Sequence, residues 1–108
     1  MATESRSDCS GKAFTEINGE QATVTLSGDV SALVLRDLEA LLLDPRLLRA
    51  ERWVLDMQGV IRIELACAYA LLRAVAEHSG TTLVRGARHS VQRTLRHTGM
   101  DTAAVIED

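Results

Sequence analysis

Residues that commonly bind metals are few in this 108-residue chain, and they are far apart in sequence. The histidines are His78, His89 and His97, and no pair of them has the HxxxH or HExxH spacing of a helical metal site. The two cysteines, Cys9 and Cys67, are too distant to suggest a zinc pair. We therefore expect no metal site and interpret the histidines as solvated residues at helix ends, where His78 and His97 would be mildly favoured as cations.

Motifs for nucleotide binding and for nucleophilic catalysis are also missing. The glycines occur singly beside predicted turns, so the sequence contains neither GxxxxGK[ST] nor GxGxxG. No GxSxG sequence marks a nucleophilic serine. Cys67 falls within an apolar stretch, which favours a buried structural cysteine over a reactive one. The sequence therefore predicts neither an enzyme nor a bound cofactor.

An arginine-rich stretch near the end of the chain is the strongest local charge feature. It contains Arg85, Arg88, Arg93 and Arg96 with no acidic residue among them. Such a stretch can follow nucleic-acid phosphates, but the net charge is −3 and only 3% of residues are aromatic. We therefore expect a solvated outer face, and an acidic protein partner rather than nucleic acid if this face binds anything.

Alternating strand and helix patterns must position all of these residues. Hydrophobic periodicity predicts strands at 13–17, 22–27, 53–57 and 81–85 and helices at 31–43, 65–76 and 90–98. We expect residues 105–106 to form either a short final strand or a packed tail. Because strands alternate with helices, we expect an α/β fold with a mixed, mostly parallel sheet of four to five strands and three to four helices.

Turn and cap residues set the expected element boundaries. Asn18-Gly19 supplies the positive φ angles that a tight hairpin needs. Ser31 is expected to cap the first helix, and Asp44-Pro45 is expected to end it. The helix at 65–76 is apolar on almost all sides, so we expect it to be the most buried one.

Composition places the chain among soluble globular domains, with 46% hydrophobic and 25% charged residues. Residues 1–12 are polar and lack periodicity, so we expect a disordered leader followed by one domain at 13–108. No signal peptide opens the sequence, and no apolar run approaches the roughly 20 residues that cross a bilayer. We expect a cytoplasmic protein with no membrane contact.

The segment WVLDMQGVIRIELACAYALLRA, from Trp53 to Ala74, reads as a strand, a turn and a buried helix. It resembles the centre of STAS domains, a family that includes bacterial anti-sigma-factor antagonists and the tails of transporters. The residues that match the family pattern are Asp56, Gly59, Val60 and Ile63 in the strand and turn, and Leu71 and Leu72 in the helix. Two further segments, VTLSGDV before it and RGARHSVQRTLRHTGMD after it, resemble flanking parts of the family.

This resemblance covers about residues 14–106 in the family's order. It implies a STAS fold, a bacterial origin, and a role in signal transduction and transcription regulation. The implied partner is an anti-sigma factor that is also a serine kinase. The residues expected to bind it are Ser31, Asp56, Arg62, Glu64, Leu65, Ala66 and Cys67.

The sequence departs from the family at the residue that the kinase phosphorylates. In phosphorylated members a Ser or Thr follows the Asp of the turn, whereas here Leu65 follows Glu64. Tyr69 is the only residue with a hydroxyl between Met57 and Glu77, so we expect the phospho-switch to be lost. Ser31 stands where the family often has an Asp, which would weaken docking on a typical kinase partner.

Several interpretations of this region stay open. Leu65 either presents an uncharged apolar tip to a partner or packs into the core. Cys67 would become a thiol switch if it were exposed, because a helix N-terminus lowers the pKa of a thiol. The chain could also be a scaffold or homo-oligomerising subunit of a signalling complex, or bind nucleic acid through its last helix.

Overall fold

The computed structural model of the chain describes residues 10–107. They contain a five-stranded sheet in which β1 and β2 are antiparallel and all later neighbours are parallel. The strands, in chain and sheet order, are β1 (Lys12–Asn18), β2 (Gln21–Val30), β3 (Arg52–Ile63), β4 (Thr81–Arg85) and β5 (Val105–Ile106). The helices are α1 (Leu35–Leu42), α2 (Pro45–Arg49), α3 (Leu65–Glu77), α4 (His89–Thr98) and α5 (Met100–Ala103). The predicted α/β fold and mostly parallel sheet are confirmed. The structure has more helices than expected, since the short helices α2 and α5 were not predicted.

One face of the sheet carries the core. The predicted alternation of β2 is confirmed, since Ala22, Val24 and Leu26 are buried while the residues between them are half-exposed. Residues on neighbouring strands continue this face because they pair in register with β2. The fully buried side chains Leu38 of α1 and Leu71 of α3 belong to the same core, so these helices cover that face.

The β1–β2 hairpin closes one residue later than the sequence suggests. Asn18 pairs with Gln21, so the two turn residues are Gly19 and Glu20. Gly19 has a φ of 64°, and no residue other than glycine has a positive φ in the described part of the chain. The positive φ expected at Asn18 is therefore wrong. A positive φ at the first turn position alone is typical of a type II′ turn.

The single helix expected at 31–43 is a 3₁₀ turn followed by α1, and α2 comes after the predicted end. Ser31 is a cap as predicted, but it caps a 3₁₀ turn (Ala32–Val34) by accepting a hydrogen bond from the N–H of Leu33 at 3.3 Å. Asp44 does more than end α1. Its carboxylate accepts a hydrogen bond from the N–H of Arg46 at 2.9 Å and so begins α2, with Pro45 at the first helical position.

Strand β3 is longer than predicted, because the segment expected to be a turn continues the strand to Ile63. Its pairing with β2 contains two register shifts, each of which adds one residue to β3. Gly59 lies at the first shift, where an added Cβ would come within 2.9 Å of the Ser27 Cβ. Hydrophobic periodicity does not reveal this bulged stretch, since a bulge interrupts the two-residue repeat.

His78 is not the solvated helix-end residue that we expected. Its ring stacks on Trp53 with the centroids 4.1 Å apart, and its Nε2 lies 2.7 Å from the carbonyl oxygen of Ala50. Its Nδ1 is buried without a partner among the described residues. His78 therefore attaches the end of α3 to the start of β3. The other two histidines are exposed.

Residues 1–9, most of the predicted leader, lie outside the described residues. Ser10 forms a parallel bridge with Asp29 and Lys12 begins β1, so the sheet starts slightly before residue 13. Across residues 10–107 no helix is both long enough and apolar enough to span a membrane.

Candidate functional site

The candidate site lies where the carboxyl ends of β2 and β3 meet. Val30 and Ile63 are the last residues of these strands and pair with each other. The loops that follow the strands therefore start side by side. The N–H of Glu64 donates to the carbonyl of Val30 at 2.9 Å, and the N–H of Ala32 donates to Oε1 of Glu64. These bonds hold the start of the 3₁₀ turn against the start of α3.

Arg62 is held by two carboxylates at this edge. Its Nη2 lies 3.2 Å from Oδ2 of Asp29 and 3.9 Å from Oε2 of Glu64. The hydrogen bond that Arg62 donates to Asp29, followed by the negative charge of Asp29, raises the pKa of the Arg62 guanidinium. Such an exposed pair contributes little to stability, but it compensates the positive charge of Arg62. Asp29 was not predicted from the sequence, although its place at the end of β2 puts it beside the end of β3.

Leu65 is on the surface rather than in the core. Its side chain is 43% exposed at the first position of α3, next to the exposed Ala66. Leu33 follows the Ala32–Glu64 contact by one residue and is 93% exposed. We call the group Leu33, Arg62, Glu64, Leu65 and Ala66 the strand-end surface. It presents apolar side chains next to Arg62, whose positive charge is balanced by Asp29 and Glu64.

Cys67 lies beneath this surface. The residue is fully buried, as predicted for a structural cysteine, and its Sγ donates a hydrogen bond to the carbonyl of Ser31 at 3.2 Å. Burial, and then the negative charge of Glu64, raises the pKa of the thiol. A thiol switch needs an exposed sulfur with a lowered pKa. Both conditions are absent, which argues against that interpretation of Cys67.

Asp56 does not join the other predicted residues. It pairs with Thr25 and Arg85 across the sheet and lies seven positions before Ile63, which is on the order of 20 Å along a strand. Its Oδ2 is 3.5 Å from Nη2 of Arg85, and its Oδ1 accepts from the N–H of Gln58 at 3.1 Å. These contacts suit a structural role on β3.

Helix α4 contributes residues that the sequence analysis did not assign to the site. A depression of 310 Å³ separates Leu65 from the outer face of α4. Its lining consists of Leu65, Ser90, Arg93, Thr94 and His97. From the sequence, only the crossover rule indicates that α3 and α4 are neighbours, because it places successive helices on one face of a parallel sheet.

A larger groove of 570 Å³ lies between α3 and the α1–α2 pair. Leu42, Leu43, Leu48, Ala70 and Ala74 give it an apolar lining, with Glu39, Arg73 and Glu77 among its polar residues. His78 and Ser79 also line it, which places it toward the end of α3 that lies away from Leu65. In the described part of the chain, no group of three or more His, Cys, Asp or Glu side chains is arranged to hold a metal ion.

Known structures share this arrangement of strands and helices. An anti-sigma factor antagonist from Mycobacterium paratuberculosis superposes with a TM-score of 0.69 at 18% identity, covering 90% of this chain and 85% of that one. The anti-sigma factor antagonist SpoIIAA, in its unphosphorylated form, gives 0.66 at 10% identity and coverages of 90% and 89%. The structure of SLC26A9 gives 0.51 at 13% identity, covering 86% of this chain and 21% of that one. At these identities the likeness establishes the fold.

Sequence comparison identifies the family directly. No curated protein sequence matches the chain significantly. The family described as "Mlab, STAS domain" matches residues 13–107, which is nearly the whole chain. This match agrees with the strand order and with the resemblance drawn from Trp53 to Ala74. The chain belongs to the STAS domain family.

Proposed function

We propose that this STAS domain is an anti-sigma-factor antagonist that docks through its strand-end surface on an anti-sigma factor of the serine-kinase type. We further propose that the kinase cannot switch off this docking, because the start of α3 has no hydroxyl to phosphorylate. The protein would act in the bacterial cytoplasm as a regulator of transcription and not as an enzyme.

The exposure of Leu65 is the observation that carries this proposal. A leucine at the first position of a helix could have packed inward, but 43% of this residue is exposed. Leu33 and Ala66 extend the apolar surface around it. Apolar side chains surrounded by polar groups are typical of protein–protein contacts.

The lack of a position for a phosphate charge near Leu65 supports docking that the kinase cannot switch off. Phosphorylation of a serine adds roughly −1.5 to −2 charges and can break a docking surface by repulsion and desolvation. By the resemblance to the family, Leu65 takes the position of the acceptor, and between Met57 and Glu77 the only hydroxyl belongs to Tyr69. Tyr69 lies four residues further along α3, one turn away from its first residue.

The test measures binding of the purified protein to each purified kinase-type anti-sigma factor encoded by the same genome, with and without ATP. We expect one of them to bind equally well in both conditions. The Leu65→Asp variant should lose at least about tenfold in affinity, since a charge replaces an apolar contact. The matched control is Leu43→Asp, which changes an exposed leucine of the groove between α3 and the α1–α2 pair.

A second variant tests the missing switch. The Leu65→Ser variant regains a hydroxyl at the aligned position, so the same kinase should phosphorylate it and release it when ATP is added. Release of the native chain by ATP would contradict the proposal. A loss of binding in Leu43→Asp but not in Leu65→Asp would move the docking site to the groove.

A further inference from the structure

The depression between Leu65 and α4 carries positive charge that nothing in the described chain compensates. Its lining includes a guanidinium and an imidazole but no carboxylate. Arg93, which supplies this guanidinium, is exposed and forms no ion pair with any of the described residues. Residues 81–100 contain no Asp or Glu, although the chain as a whole has a net charge of −3.

The strand-end residues next to Leu65 that do not line the depression have a different charge pattern. There Arg62 lies between the carboxylates of Asp29 and Glu64, so its charge is compensated. A partner that covers Leu65 therefore meets two different arginines: Arg62, which is paired with carboxylates, and Arg93, which forms no ion pair with the described residues. This asymmetry determines how the partner must be oriented, since opposite charges attract across an interface and like charges exclude a wrong approach.

We infer that the partner places an acidic segment in this depression, with one apolar side chain on Leu65 and a carboxylate facing Arg93. The inference rests on the proposed function and adds the chemistry of the partner surface. The hydroxyls of Ser90 and Thr94 border the same depression, and the Thr94 hydroxyl donates to the carbonyl of Ser90 at 3.2 Å. That bond uses the backbone of Ser90, and its hydroxyl has no hydrogen-bond partner among the described residues, so it can donate to a carboxylate.

Nucleic acid fits this surface less well than an acidic protein segment. Side chains on which nucleic-acid bases could stack are scarce, since only 3% of the residues of the chain are aromatic. Affinity for nucleic acid also comes from many phosphate contacts, whereas Arg93 is the only arginine in the lining of this small depression. An apolar side chain beside a carboxylate matches Leu65 beside Arg93 directly.

The first test follows the amide signals of the isotope-labelled protein by NMR. The probe is a short synthetic helical peptide with leucines on one face and glutamates beside them, and the matched peptide has lysine at every glutamate. We expect the acidic peptide to shift the signals of Leu65, Ser90, Arg93, Thr94 and His97. The lysine peptide should not shift them.

Variants define the contribution of charge in the same titration. Arg93→Glu should weaken binding of the acidic peptide by about tenfold, which corresponds to about 1.4 kcal/mol. The control Arg52→Glu reverses an exposed charge at the opposite end of β3 and should bind like the native chain. Equal shifts with both peptides, or no shifts at these residues, would overturn the inference. So would a DNA duplex that shifts them at lower concentration than the acidic peptide.

Binding of the kinase-type anti-sigma factor separates this inference from the proposed function. If Leu65→Asp loses that partner while Arg93→Glu retains it with unchanged affinity, the acidic segment is wrong and the docking site stands. If both variants retain the partner, the docking site itself is wrong. If both lose it while Arg52→Glu keeps it, both proposals are supported.

Discussion

Glu64 accepts a hydrogen bond from the backbone N–H of Ala32, which lies 32 residues earlier in the chain. Glu64 immediately precedes α3 but makes no side-chain cap bond to it. Its carboxylate instead joins the loop after β2 to the loop after β3. The strand-end surface is therefore one connected unit, although its residues come from two distant segments.

Removing this carboxylate should loosen the connection. We expect Glu64→Ala to lower the free energy of unfolding by about 1 kcal/mol, a typical net value for a hydrogen bond that is partly open to solvent. Chemical denaturation measures the change. Glu39→Ala, at an exposed position of α1, is the control and should be close to neutral. An equal loss in both variants would show that the Ala32 contact has no special role.

Cys67 should make the free energy of unfolding decrease as the pH rises into the alkaline range. Because the pKa of the thiol is raised in the folded state, the unfolded chain loses this proton first as the pH rises. The contribution of Cys67 is therefore complete below about pH 8.5, the ordinary thiol value. It should decline above that value until the folded-state pKa is passed.

The measurement compares unfolding free energies across this pH range for the Cys9→Ser variant and for Cys9→Ser combined with Cys67→Ala. The difference between the two proteins should shrink as the pH rises. A difference that grows would mean that the thiolate, not the thiol, is favoured in the folded protein. Rapid reaction of the folded Cys9→Ser variant with a thiol reagent would likewise contradict the burial of Cys67.

The stack between Trp53 and His78 can be followed through the only tryptophan in the chain. We expect His78→Ala to lower the free energy of unfolding by about 1–3 kcal/mol, because it removes both the ring contact and the hydrogen bond to Ala50. It should also change the fluorescence of the folded protein. His78→Phe keeps a ring but loses the hydrogen bond, so it should fall between the native protein and His78→Ala. The exposed His89→Ala is the control and should alter neither property.

Gly59 is required by the close approach of β2 and β3. Gly59→Ala should cost about 1–3 kcal/mol, since its Cβ would lie 2.9 Å from the Ser27 Cβ and force one strand to move. The added Ser27→Gly change removes that atom and should recover part of the loss. The double-mutant cycle measures this coupling. Independent, additive losses would show that contact with Ser27 is not the cause.

Much of the fold could be predicted because hydrophobic periodicity reports burial directly. The alternation at Ala22, Val24 and Leu26 gave the inward face of β2, and the apolar stretch from Leu65 gave α3 almost to its observed end. The bulged part of β3 could not be predicted in this way, because each extra residue changes which side chains face the core. Helix α2 was missed because Asp44-Pro45 is a signal both for ending one helix and for beginning another.

The candidate site was predicted only in part. The resemblance to the family was sufficient to place four residues together, because they are consecutive except for the buried Ile63: Arg62, Glu64, Leu65 and Ala66. Asp56 belongs to the same strand but lies far from its end. The neighbours on α4 depend on how two helices pack, and a single sequence contains little information about such contacts.

The bridge between Ser10 and Asp29 has a practical consequence for experiments on this protein. Asp29 also binds Arg62, so the chain enters the sheet within about two strand spacings of the strand-end surface, roughly 10 Å. An affinity tag or fluorescent protein joined directly to Ser10 would thus begin next to the surface proposed to bind the partner and would compete with it for space. Labels for interaction assays belong after Ile106, on the short edge strand β5.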